Sequence, residues 1–289
     1  MKVYINGKFY EKEEAKISVF DHGFLYGDGV FEGIRSYDRT VFCLKEHIDR
    51  LYNSAKVLML EIPMTKKEME EAVVETLKIN NLSDAYIRVV VSRGSGDLGL
   101  DPKKCKEPTV IIITDKIVLY PEELYKNGME VITASTRRNI PEAINPCVKS
   151  LNYLNNIFAK IEARRSGCEE AIMLSSDGYV TECTGDNIFI VKNNTLITPP
   201  TYIGALPGIT RNVVINIAKQ KCNLEVKEEL FTTYDIYTSE ECFLTGTAAE
   251  VISVVKVDGR IINDGKPGKN TLQIMEEFKK ITKVLGVKY

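Results

Sequence analysis

The sequence predicts an α+β protein of two domains, and three observations carry that expectation. Strand patterns and helical patterns occur in both halves of the chain, with turn pairs at Asn6-Gly7, Asp177-Gly178 and Asn193-Asn194 that read as hairpins. Between Asp115 and Asn127 the pattern weakens into Val-Leu-Tyr-Pro-Glu-Glu, and a strand pattern starts again at Met129. The 289 residues, 44% hydrophobic and 27% charged, suffice for one large or two ordinary domains without a disulfide or metal staple. The expected division is 1–120, a linker over 121–130, and 131–289.

The elements follow in order. Val3–Ile5 and Lys8–Tyr10 flank the first turn pair. Lys45–Leu60 sets Ile48, Leu51, Tyr52, Ala55, Leu58 and Met59 at helical spacing, and Pro63 ends that run. Thr65-x-x-Glu68 is a capping box that opens a second helix, with Met69, Ala72, Val73 and Leu77 on one face. Ala85–Ser92 and Thr109–Thr114 are β-branched runs and read as buried strands. In the second half, Met129–Ser135 reads as a strand. A helix from about Ser150 to Arg165 carries Leu151, Leu154, Phe158 and Ile161 along its face. Ala171–Leu174 and Tyr179–Thr181 flank one turn pair, and Asn193-Asn194 makes another. Thr198-Pro-Pro leads to Leu206-Pro-Gly-Ile-Thr and a helix through Ala218. Glu241–Leu244 and Val251–Val257 read as strands, and Thr271–Leu285 as a terminal helix.

Composition then excludes function classes. Lys and Arg total 38 against 40 Asp and Glu, and no basic stripe with interleaved aromatics appears, which argues against a nucleic-acid role. Apolar runs such as Val110–Thr114 are too short to span a bilayer, and the first residues show a strand pattern rather than a signal peptide. Seven scattered cysteines without Cys-x-x-Cys point to reduced thiols in the cytoplasm. With only His22 and His47, a His-rich metal site is excluded, and no metal is expected. Neither Gly-x-Ser-x-Gly nor a Walker A loop is present. Gly94-Ser-Gly96-Asp-Leu-Gly99 matches the dinucleotide fingerprint, but Leu100-Asp101-Pro102 and another strand follow it. Without a helix N-terminus the pyrophosphate has no dipole to sit against, so the loop reads as surface, with Leu98 and Leu100 as a candidate pocket wall. What remains points to an organic cofactor.

Lys149 lies in Ile144-Asn-Pro-Cys-Val-Lys-Ser-Leu-Asn-Tyr153, a stretch without another charge; the nearest acids are Glu142 and Glu162. A lysine in apolar surroundings is the type that becomes a nucleophile, although by local sequence alone a solvated lysine at a helix start is the simpler reading. Seven motifs in order alter that balance. They are His22-Gly-Phe-Leu-Tyr-Gly-Asp-Gly-Val-Phe-Glu-Gly-Ile-Arg35, His47-Ile-Asp-Arg-Leu51, Tyr86-Ile-Arg88, Lys149-Ser-Leu-Asn-Tyr-Leu, Glu182-Cys-Thr-Gly-Asp-Asn187, Leu206-Pro-Gly-Ile-Thr-Arg211 and Thr245–Glu250. With them the chain resembles the class IV, fold-type IV pyridoxal-phosphate aminotransferases, most closely the branched-chain amino acid aminotransferases, from Tyr4 almost to the C-terminus.

The resemblance implies a small N-terminal α/β domain and a larger C-terminal pseudobarrel α/β domain, with pyridoxal 5'-phosphate at the domain interface. Lys149 would be the Schiff-base lysine and proton shuttle, Glu182 the partner of the pyridinium nitrogen, and Tyr153 a donor to the ring's 3' oxygen. Arg50, Ile209, Thr210 and Thr247 would hold the phosphate, and the helix opening at Leu206-Pro-Gly-Ile-Thr suits an anion. Phe31, Gly33, Tyr86, Arg88 and Tyr26 would shape the substrate pocket, Tyr26 coming from a neighbouring subunit, while Thr247 and Ala248 meet the α-carboxylate. Arg88, inside a strand between Ile87 and Val89, would take the γ-carboxylate of glutamate.

The implied function is reversible ping-pong transamination between branched-chain L-amino acids (Leu, Ile, Val) and 2-oxoglutarate, in a homodimer or higher homo-oligomer. Because one methylene is worth only about 1–3 kcal/mol, all three side chains are expected as substrates. The alternatives on the same fold are D-amino acid aminotransferase and aminodeoxychorismate lyase. Against the first, the residues after Gly94 lack the Arg and His of its carboxylate trap. A non-catalytic small-molecule binding protein is the alternative of a different class.

Overall fold

The computed structural model describes residues 1–116 and 120–289. The first elements are β1 (Lys2–Ile5), β2 (Lys8–Glu11), α1 (His22–Tyr26), β3 (Gly29–Tyr37), β4 (Thr40–Phe42), α2 (Leu44–Val57), α3 (Lys66–Ile79), β5 (Ala85–Ser92) and β6 (Thr109–Asp115). Then come α4 (Glu122–Asn127), β7 (Met129–Thr133), α5 (Leu154–Arg165), β8 (Glu170–Leu174), β9 (Val180–Cys183), β10 (Asn187–Lys192), β11 (Thr195–Thr198) and α6 (Ile209–Lys221). The last are β12 (Glu225–Glu228), α7 (Thr233–Tyr237), β13 (Glu241–Gly246), β14 (Glu250–Val257), β15 (Arg260–Ile261), α8 (Lys269–Ile281) and β16 (Gly286–Lys288). The chain divides into two compact units, Met1–Ile117 with Val148–Asn152 and Thr282–Tyr289, and Val118–Cys147 with Tyr153–Ile281.

Among the described residues, the first unit holds one antiparallel sheet in the order β16-β4-β3-β5-β6-β1-β2. Asn6 and Gly7 both take positive φ, the turn whose twist suits a two-residue hairpin. The β3–β5 register runs from Gly29 opposite Ser92 to Ser36 opposite Ala85. On one face Val30, Ile34, Ile87, Val89 and Val91 pack with Leu44, Ile48, Leu51 and Ala55 of α2 and with Met69, Val73 and Leu77 of α3. Each such buried Val, Leu, Ile or Met side chain contributes about 1.5–3 kcal/mol. The Thr65–Glu68 capping box forms in both directions and starts α3.

In the second unit the described strands run β12-β11-β10-β13-β14-β7-β8-β9, with β15 on β14. The pairs β11–β12, β14–β7 and β7–β8 are parallel and the others antiparallel. Asn193 and Asn194 take positive φ at the β10–β11 turn.

The stretch 121–130, expected as a linker, carries α4 and the start of β7. Three expectations about helices need correcting. The helix expected from Ser150 starts at Leu154, because residues 150 and 151 give their backbone to β3: Ser150 bridges Val30, and Leu151 N donates to Gly29 O at 2.9 Å. Its apolar face is also reversed. Leu154, Ile157, Phe158 and Ile161 are exposed, while Asn156, Ala159 and Ala163 are buried. The small alanines let α5 approach β8 closely, where they pack with Ala171 and Met173. The terminal helix, expected to reach Leu285, ends at Ile281 because Gly286–Lys288 pair with β4 as β16.

Candidate active site

In the first unit β3 and β5 carry four expected substrate residues. Alternation puts Phe31 and Gly33 on the face away from Val30 and Ile34, with Arg88 of β5 across from Gly33. A Cβ at position 33 would overlap the Tyr86 hydroxyl, so glycine lets that ring lie where it does and any larger residue would displace it. Arg88 Nη2 donates to that hydroxyl at 2.9 Å, and its guanidinium carbon lies 4.5 Å from the Phe31 ring centre.

Lys149 reaches the same ring, with Nζ 4.6 Å from its centre, within range for a cation on an aromatic face. Its backbone fixes it there. Phe31 N donates to Lys149 O at 3.0 Å, and Lys149 N donates to Ser54 Oγ at 3.1 Å. Phe31, Gly33, Tyr86, Arg88 and Lys149 therefore meet within one unit. Tyr26 ends α1, and its hydroxyl donates to Leu98 O at 2.6 Å; the His22 ring contacts Asp97 O at 2.8 Å. These bonds hold the glycine loop, after which comes a single helical turn at Pro102–Lys104 and then β6.

Arg50 faces a partner that the sequence reading did not assign. Its Nε and Nη2 donate to Glu32 Oε1 and Oε2 at 2.7 and 2.8 Å, and His47 Nδ1 lies 2.7 Å from Oε2. Glu32 and His47 are fully buried. Burial alone would raise the Glu32 carboxyl, but Arg50 and then His47 outweigh it and hold the group well below the ordinary carboxylate range. Burial holds His47 below its ordinary value against the pull of Glu32.

In the second unit Glu182, on β9, is buried and bonded from several sides. Arg138 Nε and Nη2 donate to Oε1 at 2.9 Å each; Leu206 N donates to Oε2 at 2.8 Å, and Asn187 Nδ2 to the same oxygen at 3.3 Å. Asn187 Nδ2 also donates to Leu206 O at 3.0 Å, which ties the Glu182 turn to the segment leading into α6. That 13-residue helix opens at Gly208 with no side-chain cap, so its first-turn N–H groups at Ile209 and Thr210 suit an anion. Thr247 and Ala248 are half-buried in the turn from β13 to β14, and Tyr153 caps α5.

Glu32, His47, Arg138 and Asn187 are the site residues to which the sequence reading gave no role. A period-2 reading of Val30-Phe-Glu-Gly-Ile34 could have flagged Glu32, since it puts an acid on the core face of the strand. Arg138 has no comparable signal in Thr136-Arg-Arg-Asn139. Among the described residues no group of metal-ligating side chains occurs.

A Methanocaldococcus jannaschii protein provisionally named as a branched-chain-amino-acid aminotransferase is 56% identical over 288 residues, covering 100% of this chain and 99% of that one. The crystal structure of the Escherichia coli branched-chain amino acid aminotransferase superposes with a TM-score of 0.95 at 35% identity, over 99% of this chain and 96% of that one. The T.th. branched-chain amino acid aminotransferase complexed with N-(5'-phosphopyridoxyl)-L-glutamate gives 0.92 at 36%, over 98% and 94%. Those likenesses bear out the two-domain fold-type IV reading. Residues 29–257 match the family described as amino-transferase class IV, and the chain belongs to that family.

Proposed function

We propose that this protein is a pyridoxal-phosphate enzyme that transfers the amino group of Leu, Ile or Val reversibly to 2-oxoglutarate. The observation that carries it is the meeting of Lys149, Phe31 and Arg88: Lys149 Nζ and the Arg88 guanidinium carbon stand 4.6 and 4.5 Å from one ring centre. This puts an amine beside an apolar wall for a branched side chain and a cation for the γ-carboxylate of glutamate. The T.th. enzyme's complex with a phosphopyridoxyl-glutamate supports both cofactor and donor.

The residues fit the cofactor: α6 opens without a side-chain cap, and a buried carboxylate is held at Glu182. Pyridoxal phosphate, when bound, supplies an aldehyde that captures the amino group and a ring that takes up the electrons of the broken Cα–H bond. Lys149 Nζ receives the proton from the substrate α-carbon. Glu182, kept in place by Arg138 and Leu206 N, would accept a hydrogen bond from the ring nitrogen. Ile209 N, Thr210 and Thr247 would bind the phosphate, as would Arg50; Tyr153 would hold the 3' oxygen, and Thr247 and Ala248 the α-carboxylate. Tyr86 and Gly33 leave the pocket its shape.

Two exposed apolar groups support self-association: Phe20, Phe24, Leu98 and Leu100 in the first unit, and the Leu154, Ile157, Phe158 and Ile161 stripe of α5 in the second. A homodimer would cover them and let Tyr26 serve a neighbour's pocket. Among the described residues no helix is long and apolar enough to cross a membrane; seven free thiols support a reducing compartment, the cytoplasm.

The test is a panel of L- and D-amino acids with 2-oxoglutarate and pyruvate as acceptors, alongside Lys149→Ala. Glutamate should form from Leu, Ile and Val, and the variant should lose both turnover and the visible absorbance of the bound cofactor. Turnover of D-alanine with none from Leu, Ile or Val would overturn the substrate reading.

A further inference from the structure

We propose that Glu32 and His47 are positioning residues for the cofactor phosphate and act through Arg50. The inference rests on the reading that Arg50 binds that phosphate. Glu32 occupies a core-facing position of β3, flanked at the same parity by Val30 and Ile34, both fully buried. A carboxylate–guanidinium pair in such a place is a poor source of stability, because an apolar pair of similar volume is often as stable. Its presence calls for a role in arrangement.

The geometry supplies one. Arg50 presents two hydrogen-bonding edges, and the pairing is side-on: Nε and Nη2 engage the two Glu32 oxygens at 2.7 and 2.8 Å. Such a fork fixes the guanidinium plane and turns Nη1 away from Glu32. His47 then fixes the carboxylate itself, with Nδ1 2.7 Å from Oε2. His47 and Arg50 are three apart on α2, so one helix face presents both groups to one carboxylate. Glu32 also lies between Phe31 and Gly33, the two β3 residues of the substrate face. One strand thus orients the apolar wall on one side and the anion-binding arginine on the other. An arginine held this way has little rotamer freedom left to lose when an anion binds.

The readout is the preference for pyridoxal 5'-phosphate over pyridoxal, which isolates the phosphate from the rest of the cofactor. The full-length chain, dialysed free of small molecules, is titrated with each compound, and the two dissociation constants are compared for the wild type, Arg50→Met, Glu32→Gln and the double variant. Glu32→Gln should lower the preference roughly ten- to hundredfold, as loss of an orienting partner does elsewhere. In the Arg50→Met background the same change should do nothing more. An unchanged preference in Glu32→Gln overturns the proposal. So does an increase, which is what removing a negative charge near a dianion would produce by itself. If Arg50→Met leaves the preference intact, Arg50 does not bind the phosphate, and the proposal falls with that reading while the assignment of Lys149 stands. Should Glu32→Gln fail to fold by circular dichroism, His47→Gln carries the same comparison with the same two outcomes.

Discussion

Arg138 places Nε and Nη2 on Glu182 Oε1 and spreads Nη1 over the side-chain oxygens of Asn139, Asn155 and Asn156 at 3.1–3.2 Å. Removing one partner of a buried ion pair leaves the other charge without compensation, typically at about 3–5 kcal/mol. Arg138→Met should therefore lower unfolding stability in urea by about that amount, and should weaken cofactor binding because Glu182 loses its anchor. Arg88 makes a contrasting case. It is half-buried against Tyr86 and Phe31, and a charge-assisted bond to a substrate carboxylate is worth about 1.5–3 kcal/mol. Arg88→Leu should raise the KM for glutamate and 2-oxoglutarate roughly ten- to hundredfold while changing that for leucine far less. Steady-state assays of the two half-reactions separate these outcomes, and an equal loss for leucine would contradict the role.

At the scale of elements, a buried acidic network joins the start of β8, the turn between β9 and β10, and α5. The Tyr120 hydroxyl lies 3.4 Å from Glu170 Oε2 and 3.2 Å from Asp186 Oδ2, and Lys160 Nζ lies 3.3 Å from the same Glu170 oxygen. Burial, and then the Glu170 charge, raise the Asp186 carboxyl to about 7. A folded-state value above the unfolded one means that the native protein holds the proton more tightly. This contribution is complete below about pH 4 and is lost as the pH rises through about 7. Asp186→Asn, which mimics the protonated form, should flatten that part of the stability profile and be stabilising relative to the wild type above pH 7. Urea melts from pH 5 to pH 8.5 check it.

The same scale shows what the sequence made legible. Local chemistry was readable: the Thr65–Glu68 box, the Asn6-Gly7 and Asn193-Asn194 turns, and the β-branched runs of β5 and β6 all reflect short-range rules. What escaped depends on partners far away in the chain. Helical spacing in α5 gave an apolar stripe but not which face is buried, and packing against β8 selected the alanines. Backbone pairing with β3 delayed the start of that helix. The resemblance supplied the cofactor residues, whereas Glu32, His47 and Arg138 show their roles only once side chains distant in sequence converge.

At the scale of the whole molecule, the last eight residues complete the first unit. β16 pairs with β4, and the Tyr289 hydroxyl lies 2.7 Å from Ser36 Oγ and donates to Leu82 O at 2.7 Å. Tyr289→Phe should cost about 1 kcal/mol, the net worth of a typical hydrogen bond. Truncation after Ile281 should cost more and should promote aggregation, because β4 would become an unprotected edge. Thermal melts and light scattering of the two proteins measure both effects.

That return of the chain has a consequence during synthesis. β3 and β4 leave the ribosome early, yet the Lys149 segment that bridges β3 comes roughly a hundred residues later, and β16 comes last of all. At roughly 5–20 residues per second, the β4 edge waits for its neighbour for roughly tens of seconds. The N-terminal unit cannot be finished before the C-terminal one has been synthesised, so a chain released early from a stalled ribosome would carry a first sheet still open at β4.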